Sequence, residues 1–367
     1  MQERHGGNIY KAIKDYGLWP DSILDFSANI NPLGIPEELK DIIKSKVDSL
    51  KDYPDPECLS LREAISGYLN IGVDKIIPGN GASEIIFLLF EVMKLKKVLI
   101  PAPSFAEYTA AAERYGALID YFRLEEDEGF QLNVDRLIES TGEDVEAVML
   151  CNPNNPTSTL ISRESLVRLI EYMNKKGVYV IVDEAFIELT GAGNSNSVCD
   201  FIEKYNNLFI IRAFTKIFSI PGLRLGYGLG STEIIKRMWE RKLPWSVNTF
   251  ACSMGDVLAN GREYFTRTSN WLIAEKKHFF EELSQLKELK VFEPQTNFIL
   301  IKILNENFNS AKLKDIMGAR GILIRDASNF KFLDERYIRV AIKDKESNRK
   351  LKDLLGTVLK DGVVKIP

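Results

Sequence analysis

From about residue 75 to 230, short apolar runs alternate with stretches whose apolar residues recur every three or four positions. The runs are Val98–Ile100, Val145–Cys151, Val178–Val182 and Leu208–Ile211. Between them, Ala82–Lys94, Phe105–Tyr115 and Arg163–Lys175 carry the spacing of helices. Continuous Val/Ile-rich strands separated by amphipathic helices predict an α/β fold, with a mainly parallel sheet covered on both faces. Each run leads into a polar segment: Pro101-Ala-Pro-Ser, Asn152-Pro-Asn-Asn-Pro, Asp183-Glu-Ala-Phe and Arg212-Ala-Phe-Thr-Lys. Ligands of such sheets bind beyond the carboxyl ends of the strands, so these four segments are expected to converge on one site.

After residue 250 the texture changes. Asp256–Leu283 reads as a long helix broken near Gly261, followed by strands at Asn297–Ile303, Ile322–Ile324 and Tyr337–Ala341 and a last helix at Ser347–Leu359. This predicts a smaller α+β domain. The first 35 or so residues read as an irregular arm. The expected division is an arm over 1–38, a large domain over 39–250 and a small domain over 251–367.

Composition removes several function classes. Lys+Arg 48 against Asp+Glu 52 leaves a net charge of −4, with no basic block to meet nucleic acid. The longest apolar stretch, around Ile85–Phe90, falls far short of the roughly 18 residues that span a bilayer. Met1-Gln-Glu-Arg-His-Gly-Gly has no apolar core for a secretory signal. Cys58, Cys151, Cys199 and Cys252 are scattered, and only His5 and His278 are present. Neither a disulfide framework nor a zinc or multi-histidine centre is expected, and the cysteines are assigned to packing. The expectation is a cytoplasmic enzyme or binding protein acting on a small molecule.

Lys216 lies five residues beyond Leu208–Ile211, between Phe214, Ile217 and Phe218. Such flanks would desolvate the amine and lower its pKa toward the nucleophilic form. Arg224, eight residues on, is placed to meet an anion. Alone, such a lysine is more often a surface residue whose stem covers apolar atoms. Asp183 ends an apolar run, where a carboxylate needs a cation, and a protonated pyridine nitrogen would serve; a helix N-cap is the plainer reading. Asn155 sits in a proline-stiffened loop and could donate its amide to a phenolate oxygen. In Pro78-Gly-Asn-Gly-Ala-Ser-Glu, the amides of Gly81, Ala82 and Ser83 could cradle a phosphate at a helix N-terminus.

Taken together and in this order, these residues resemble the fold-type I pyridoxal-phosphate enzymes, in the class I/II aminotransferase branch that includes histidinol-phosphate aminotransferase. The resemblance covers essentially the whole chain. It implies a pyridoxal 5'-phosphate cofactor bonded to Lys216, with Asp183 on its pyridinium nitrogen, Asn155 on its ring hydroxyl and Phe105 stacked on its ring. Ala82, Ser83 and Arg224 would hold its phosphate. Tyr53, in Asp52-Tyr-Pro-Asp-Pro, would reach the phosphate of a second subunit, making a homodimer with shared sites.

His5-Gly-Gly-Asn, Asp25-Phe-Ser-Ala-Asn-Ile-Asn-Pro-Leu-Gly, Pro244-Trp-Ser-Val-Asn and Tyr337-Ile-Arg-Val-Ala-Ile look like the threonine-phosphate decarboxylases of cobalamin biosynthesis. Phe186 agrees, since the aminotransferases usually carry tyrosine there. Ala213 departs from the family's Ser or Thr at a phosphate contact, and Ser158 replaces the glycine that ends Asn-Pro-Thr-Gly. The resemblance places the substrate arginine at Arg339, while Arg325 follows the strand Ile322–Ile324. An arginine pair on adjacent strands suits a dianionic phosphate, although a surface salt bridge is the default for either. His5, Asn29 and Asn155 are further substrate-binding candidates, the first two on an arm that folds over the site. Trp245 is assigned to packing. The implied activity is decarboxylation of O-phospho-L-threonine, with an aminotransferase of the histidinol-phosphate type as the alternative. A non-catalytic cofactor-binding regulator is disfavoured, because the chain shows no helix-turn-helix extension.

Overall fold

The computed structural model describes residues 5–361. Strand β1 (Leu24–Asp25) belongs to the N-terminal segment. Seven strands then build the central sheet: β2 (Ile76–Asn80), β3 (Lys97–Ala102), β4 (Leu118–Arg123), β5 (Ala147–Cys151), β6 (Tyr179–Asp183), β7 (Leu208–Ala213) and β8 (Leu225–Leu229). Their order is β2-β8-β7-β6-β5-β3-β4, parallel from β7 to β4, with β8 antiparallel to both of its neighbours. Successive residues of β6 and β7 feed opposite cores. Val180, Val182, Leu208 and Ile210 pack beneath the helix Arg163–Lys176, whereas Ile181, Phe209 and Ile211 pack beneath the helix Gly81–Met93. That two-sided burial is why these runs read as continuously apolar.

A second sheet follows, from β9 (Leu289–Val291), β10 (Phe298–Ile303), β12 (Arg325–Asp326) and β13 (Tyr337–Ala341), in the order β12-β13-β10-β9 and antiparallel throughout. Between them in the chain, β11 (Ile322–Leu323) pairs in parallel with β1 and so ties the N-terminal segment to this side of the molecule. Register sets two rows across the sheet. Lys290, Lys302 and Tyr337 form one, and two residues along each strand Leu300, Arg339 and Arg325 form the next on the same face.

Three central strands escape the hydrophobic pattern. In β8 the side-chain alternation is interrupted by Gly226 and Gly228. A Cβ on Gly226 would lie 2.3 Å from the amide nitrogen of Ala82, and one on Gly228 would lie 2.6 Å from the ring of Phe209. Close approach to the helix start and to β7 therefore demands glycine, which removes the strand signal. Pro78 and Gly79 mask β2, and β4 is an edge strand whose side chains are half-exposed or exposed. The arm is also more ordered than its sequence suggests. It holds the helix Ile9–Tyr16, capped by Asn8, of which only Ala12 is buried, too short an apolar face to register as periodic.

Candidate active site

The four polar segments converge. Three of them border a cavity of about 340 Å³ at the carboxyl ends of the parallel strands, and the fourth, Pro101-Ala-Pro-Ser, delivers the next residue, Phe105, to it; Arg325, Asn329, Phe330 and Arg339 and the arm close its far side. Lys216 stands on the single-turn helix Phe214–Ile217 that follows β7 and points into this cavity. The flanking Phe214, Ile217 and Phe218 turn into the core instead, against Tyr227, Tyr264 and Phe265. Phe186 is what the amine meets, with Nζ 5.9 Å from the ring centroid. Burial, with Arg339 and Arg224 nearby, pulls the amine down to about 8.

Asp183 ends β6 and is buried at the cavity floor. One carboxylate oxygen accepts from the Ala185 amide at 2.9 Å and the other from the Tyr108 hydroxyl at 2.7 Å. Tyr108, fully buried in the helix Ala106–Arg114, is a site residue that sequence reasoning passed over; its only sequence signal is membership of Pro103-Ser-Phe-Ala-Glu-Tyr. Burial pushes Asp183 from 3.8 up to about 6, despite both donors. The native protein therefore retains a proton that the unfolded chain releases, and stability falls as pH rises through that window, by about 3 kcal/mol in ligand-free protein. Asp183→Asn removes this titration. Denaturant unfolding should find ligand-free Asp183→Asn more stable than wild type near pH 7.5, with the advantage shrinking toward pH 4; parallel pH slopes would refute the assignment.

The helix Gly81–Met93 opens with no side-chain cap from Asn80, leaving first-turn amides facing the cavity, which Gly81, Ala82 and Ser83 line. Arg224, held in the left-handed region at φ 63°, brings its guanidinium over this turn. A Cβ on Gly81 would fall 2.5 Å from Arg224 Nη2, and Gly81 itself has φ +78°, so only glycine admits the arginine here. Ala213 and, two residues on, Thr215 also line the cavity.

Opposite Lys216, Arg339 reaches across from β13. Its guanidinium donates to Asn155 Oδ1 and, at 2.8 Å, to the carbonyl of Ser27 in the arm. Arg325 is its cross-strand partner, bonded to Asn329 at 2.8 Å with its guanidinium 5.6 Å from the Phe330 ring. Burial and Arg325 together bring Arg339 down to about 9. Asn29 is 3 % exposed with its Oδ1 unpaired, and it lines the cavity. His5 overhangs the mouth, bonded to Glu107 at 2.8 Å and tilted against Phe105 at 5.7 Å between centroids. Asn31, given no role of its own in the sequence, anchors the arm: its amide donates to Ile217, Tyr264 and Thr268, and its backbone N–H donates to the Lys216 carbonyl.

Behind the cavity, side-chain alternation reverses. Asp183 and Ala213 face the ligand space, and their neighbours Glu184 and Arg212 face away into a sealed cluster. Arg212 Nε meets Glu184 at 2.8 Å, its Nη1 meets Glu188 at 2.6 Å, and Ser197 bonds both Arg212 and Glu184 at 2.7 Å. All three charged side chains are essentially without solvent exposure. Ser158, at φ 62° where the family has glycine, accepts from the amides of Gln295 and Thr296 and so links the loop of Asn155 to the segment preceding β10.

Tyr53 is not brought into this cavity. It is 81 % exposed and lies tilted against Trp245, 4.7 Å between ring centroids, so Trp245 covers a surface ring instead of filling a core. Nearby, the sulfurs of Cys58 and Cys252 approach to 2.6 Å, a contact that their separation of 194 residues conceals. Among the described residues no cluster of His, Cys, Asp or Glu could hold a metal, and no helix is long and apolar enough to cross a membrane.

A protein of Caldanaerobacter subterraneus subsp. tengcongensis, provisionally named a threonine-phosphate decarboxylase, is 42% identical over 360 residues, covering 98% of this chain and 95% of that one. The threonine-phosphate decarboxylase of Salmonella typhimurium is 35% identical, over 97% of this chain and 96% of its own. The crystal structure of histidinol-phosphate aminotransferase from Clostridium acetobutylicum superposes with a TM-score of 0.85 at 37% identity, covering 92% of this chain and all of that one. The pattern of one family, aminotransferase class I and II, runs through residues 21–355, from the arm to the last helix. With the fold, the cavity and these likenesses in agreement, the chain belongs to the class I and II aminotransferase family.

Proposed function

We propose that the protein is a pyridoxal-phosphate-dependent decarboxylase that converts O-phospho-L-threonine to (R)-1-aminopropan-2-yl phosphate in cobalamin biosynthesis. The observation that carries this reading is the buried row of Arg325 and Arg339 facing Lys216 across one cavity. Two guanidiniums side by side in a dry site repel each other, and a dianionic phosphate between them relieves that cost. The likeness to threonine-phosphate decarboxylases supports the same substrate.

The residues suit the cofactor. The turn at Gly81 with Arg224 is an anion cradle that a Cβ would fill, and Asp183 has the buried carboxylate a pyridinium calls for. Pyridoxal phosphate, when bound, supplies a sink for the electron pair left by departing CO2. Lys216 would hold it covalently, its lowered pKa keeping a useful fraction of free amine, and would later return a proton to the substrate carbon. Asp183, fixed by Tyr108 and Ala185, would keep the ring nitrogen protonated. Asn155 spends its oxygen on Arg339, which leaves its N–H for the ring hydroxyl. Ala82, Ser83 and Arg224 would bind the phosphate, and Phe105 would cover the ring. On the substrate side, Arg325, Arg339, Asn29 and His5 would enclose the phosphate. In this reading residues 1–38 are the arm over the site, 39–250 the cofactor domain and 251–367 the small domain. The test is product analysis with O-phospho-L-threonine as sole substrate. The structural likeness to histidinol-phosphate aminotransferase makes transamination the reading to exclude.

A homodimer with shared sites belongs to this proposal. Tyr53 faces solvent, away from its own cavity, on a proline-flanked loop suited to reaching a second subunit. Mixing inactive Lys216→Ala with a severely impaired Tyr53→Phe protein should restore part of the activity through hybrid dimers. A fully active monomer by light scattering would sink the idea.

A further inference from the structure

We propose that Glu126 is a positioning residue, a carboxylate on the central-sheet side that fixes the strand bearing Arg339, and through its pairing with β12 also Arg325, and thereby the grip on the substrate phosphate. The inference rests on the phosphate-binding role proposed above for those two arginines. Glu126 lies three residues past β4. One of its oxygens accepts from Lys290 at 2.9 Å, and the other accepts from Lys302 at 2.7 Å and from the Tyr337 hydroxyl at 2.6 Å. Those donors are one register row on three adjacent strands, β9, β10 and β13. The neighbouring row on the same face is Leu300, Arg339 and Arg325, so a single carboxylate is keyed to the row beside the arginines.

Adhesion across this junction comes from elsewhere. Leu124 and Phe130 pack on Phe292, Leu300, Phe330 and Tyr337, with Phe130 and Phe292 5.0 Å apart between centroids. Apolar contact is non-directional and tolerates sliding. A carboxylate shared by three donors does not, because a shift of one residue, about 3.4 Å, breaks all three bonds at once. Against the upward pull of burial, Lys302, Tyr337 and Lys290 hold Glu126 down to about 2, so the clasp stays charged at every working pH. Partial exposure limits what the ion pairs add to stability, and what they supply is register. Register matters here, since a displacement of about 1 Å at a positioning group can cost on the order of 100-fold in rate.

Glu126→Gln keeps the shape and removes the charge. With the cofactor-loaded enzyme, KM for O-phospho-L-threonine should rise and kcat should fall, together lowering kcat/KM about tenfold. Binding of L-threonine, read from the cofactor absorbance, should stay within about twofold because no phosphate is being held. Glu126→Asp, which retains the charge, should recover part of the loss, and the melting temperature should stay within a few degrees. An unchanged KM overturns the inference; so does an equal loss for threonine and phosphothreonine, or a loss that tracks melting. If wild-type enzyme releases no CO2 from phosphothreonine, the substrate reading has failed and the clasp is judged without turnover. Inorganic phosphate should then bind Glu126→Gln more weakly than wild type, and amides of 298–303 and 337–341 should exchange faster. Identical phosphate affinity and exchange in the two proteins overturn the clasp.

Discussion

Lys216→Ala is expected to fold, to hold pyridoxal phosphate only reversibly, and to lose at least about 10³-fold in turnover. In the wild-type protein, borohydride reduction should fix the cofactor to the chain, and peptide mapping should find it on Lys216. The fold survives this truncation because the amine faces the Phe186 ring and the cavity, while its backbone carbonyl, which the substitution keeps, receives the Asn31 amide. Removing a group whose charged form is disfavoured by burial also costs the native state little. Circular dichroism unchanged from wild type, together with absent activity, is the predicted combination. A reduced label on any other lysine would overturn the assignment.

The second large effect separates the two chemistries open to this site. O-phospho-L-threonine should release CO2 with no 2-oxo acid present, and threonine should react poorly. Which bond of the substrate α-carbon would be presented to the cofactor depends on how the protein orients the substrate, so the enzyme decides by what it anchors. Arg325 and Arg339 offer an anchor remote from the reacting carbon, and binding energy used there orients the carboxylate. Arg339→Ala should lower kcat/KM about 10- to 100-fold, in line with charge-assisted hydrogen bonds of about 1.5–3 kcal/mol, and should lower kcat as well. The effect on kcat follows from geometry: Arg339 also holds Asn155 and the carbonyl of Ser27. Rapid amino transfer from histidinol phosphate to 2-oxoglutarate, with no CO2 from phosphothreonine, would reverse the reading.

Much of this site was legible because it is built at strand ends. The apolar runs predict β3, β5, β6 and β7, and the segments after β5, β6 and β7, with Phe105 beyond β3, supply residues that line the cavity. The fold class followed from the same pattern, whereas Arg339 came from the family resemblance and Arg325 from its place after an apolar run; the structure sets them side by side. What stayed hidden depends on distance or on subtraction. Tyr108 and Asp183 are 75 residues apart, and Glu126 and Tyr337 are 211 apart; nothing local announces either bond. β8 was invisible because its glycines exist to let other groups approach, and a missing side chain leaves no periodicity. Desolvation of Lys216 was anticipated, but from the wrong neighbours, since sequence adjacency does not say which way an aromatic ring turns.

The sealed cluster of Arg212, Glu184 and Glu188 constrains how this chain can drift over generations. Replacing Arg212 alone strands two carboxylates in a dry pocket, at a cost of about 3–5 kcal/mol, a large part of a typical stability of about 5–15 kcal/mol. Replacing either acid alone leaves Arg212 paired with the other, but strands the buried donors that the lost acid held. A fully apolar trio of similar volume, by contrast, would pack acceptably. Single-step paths between these two solutions pass through a destabilised intermediate, so the three positions are expected to change together. Where a related chain carries an apolar residue at the position of Arg212, both acids should be gone as well.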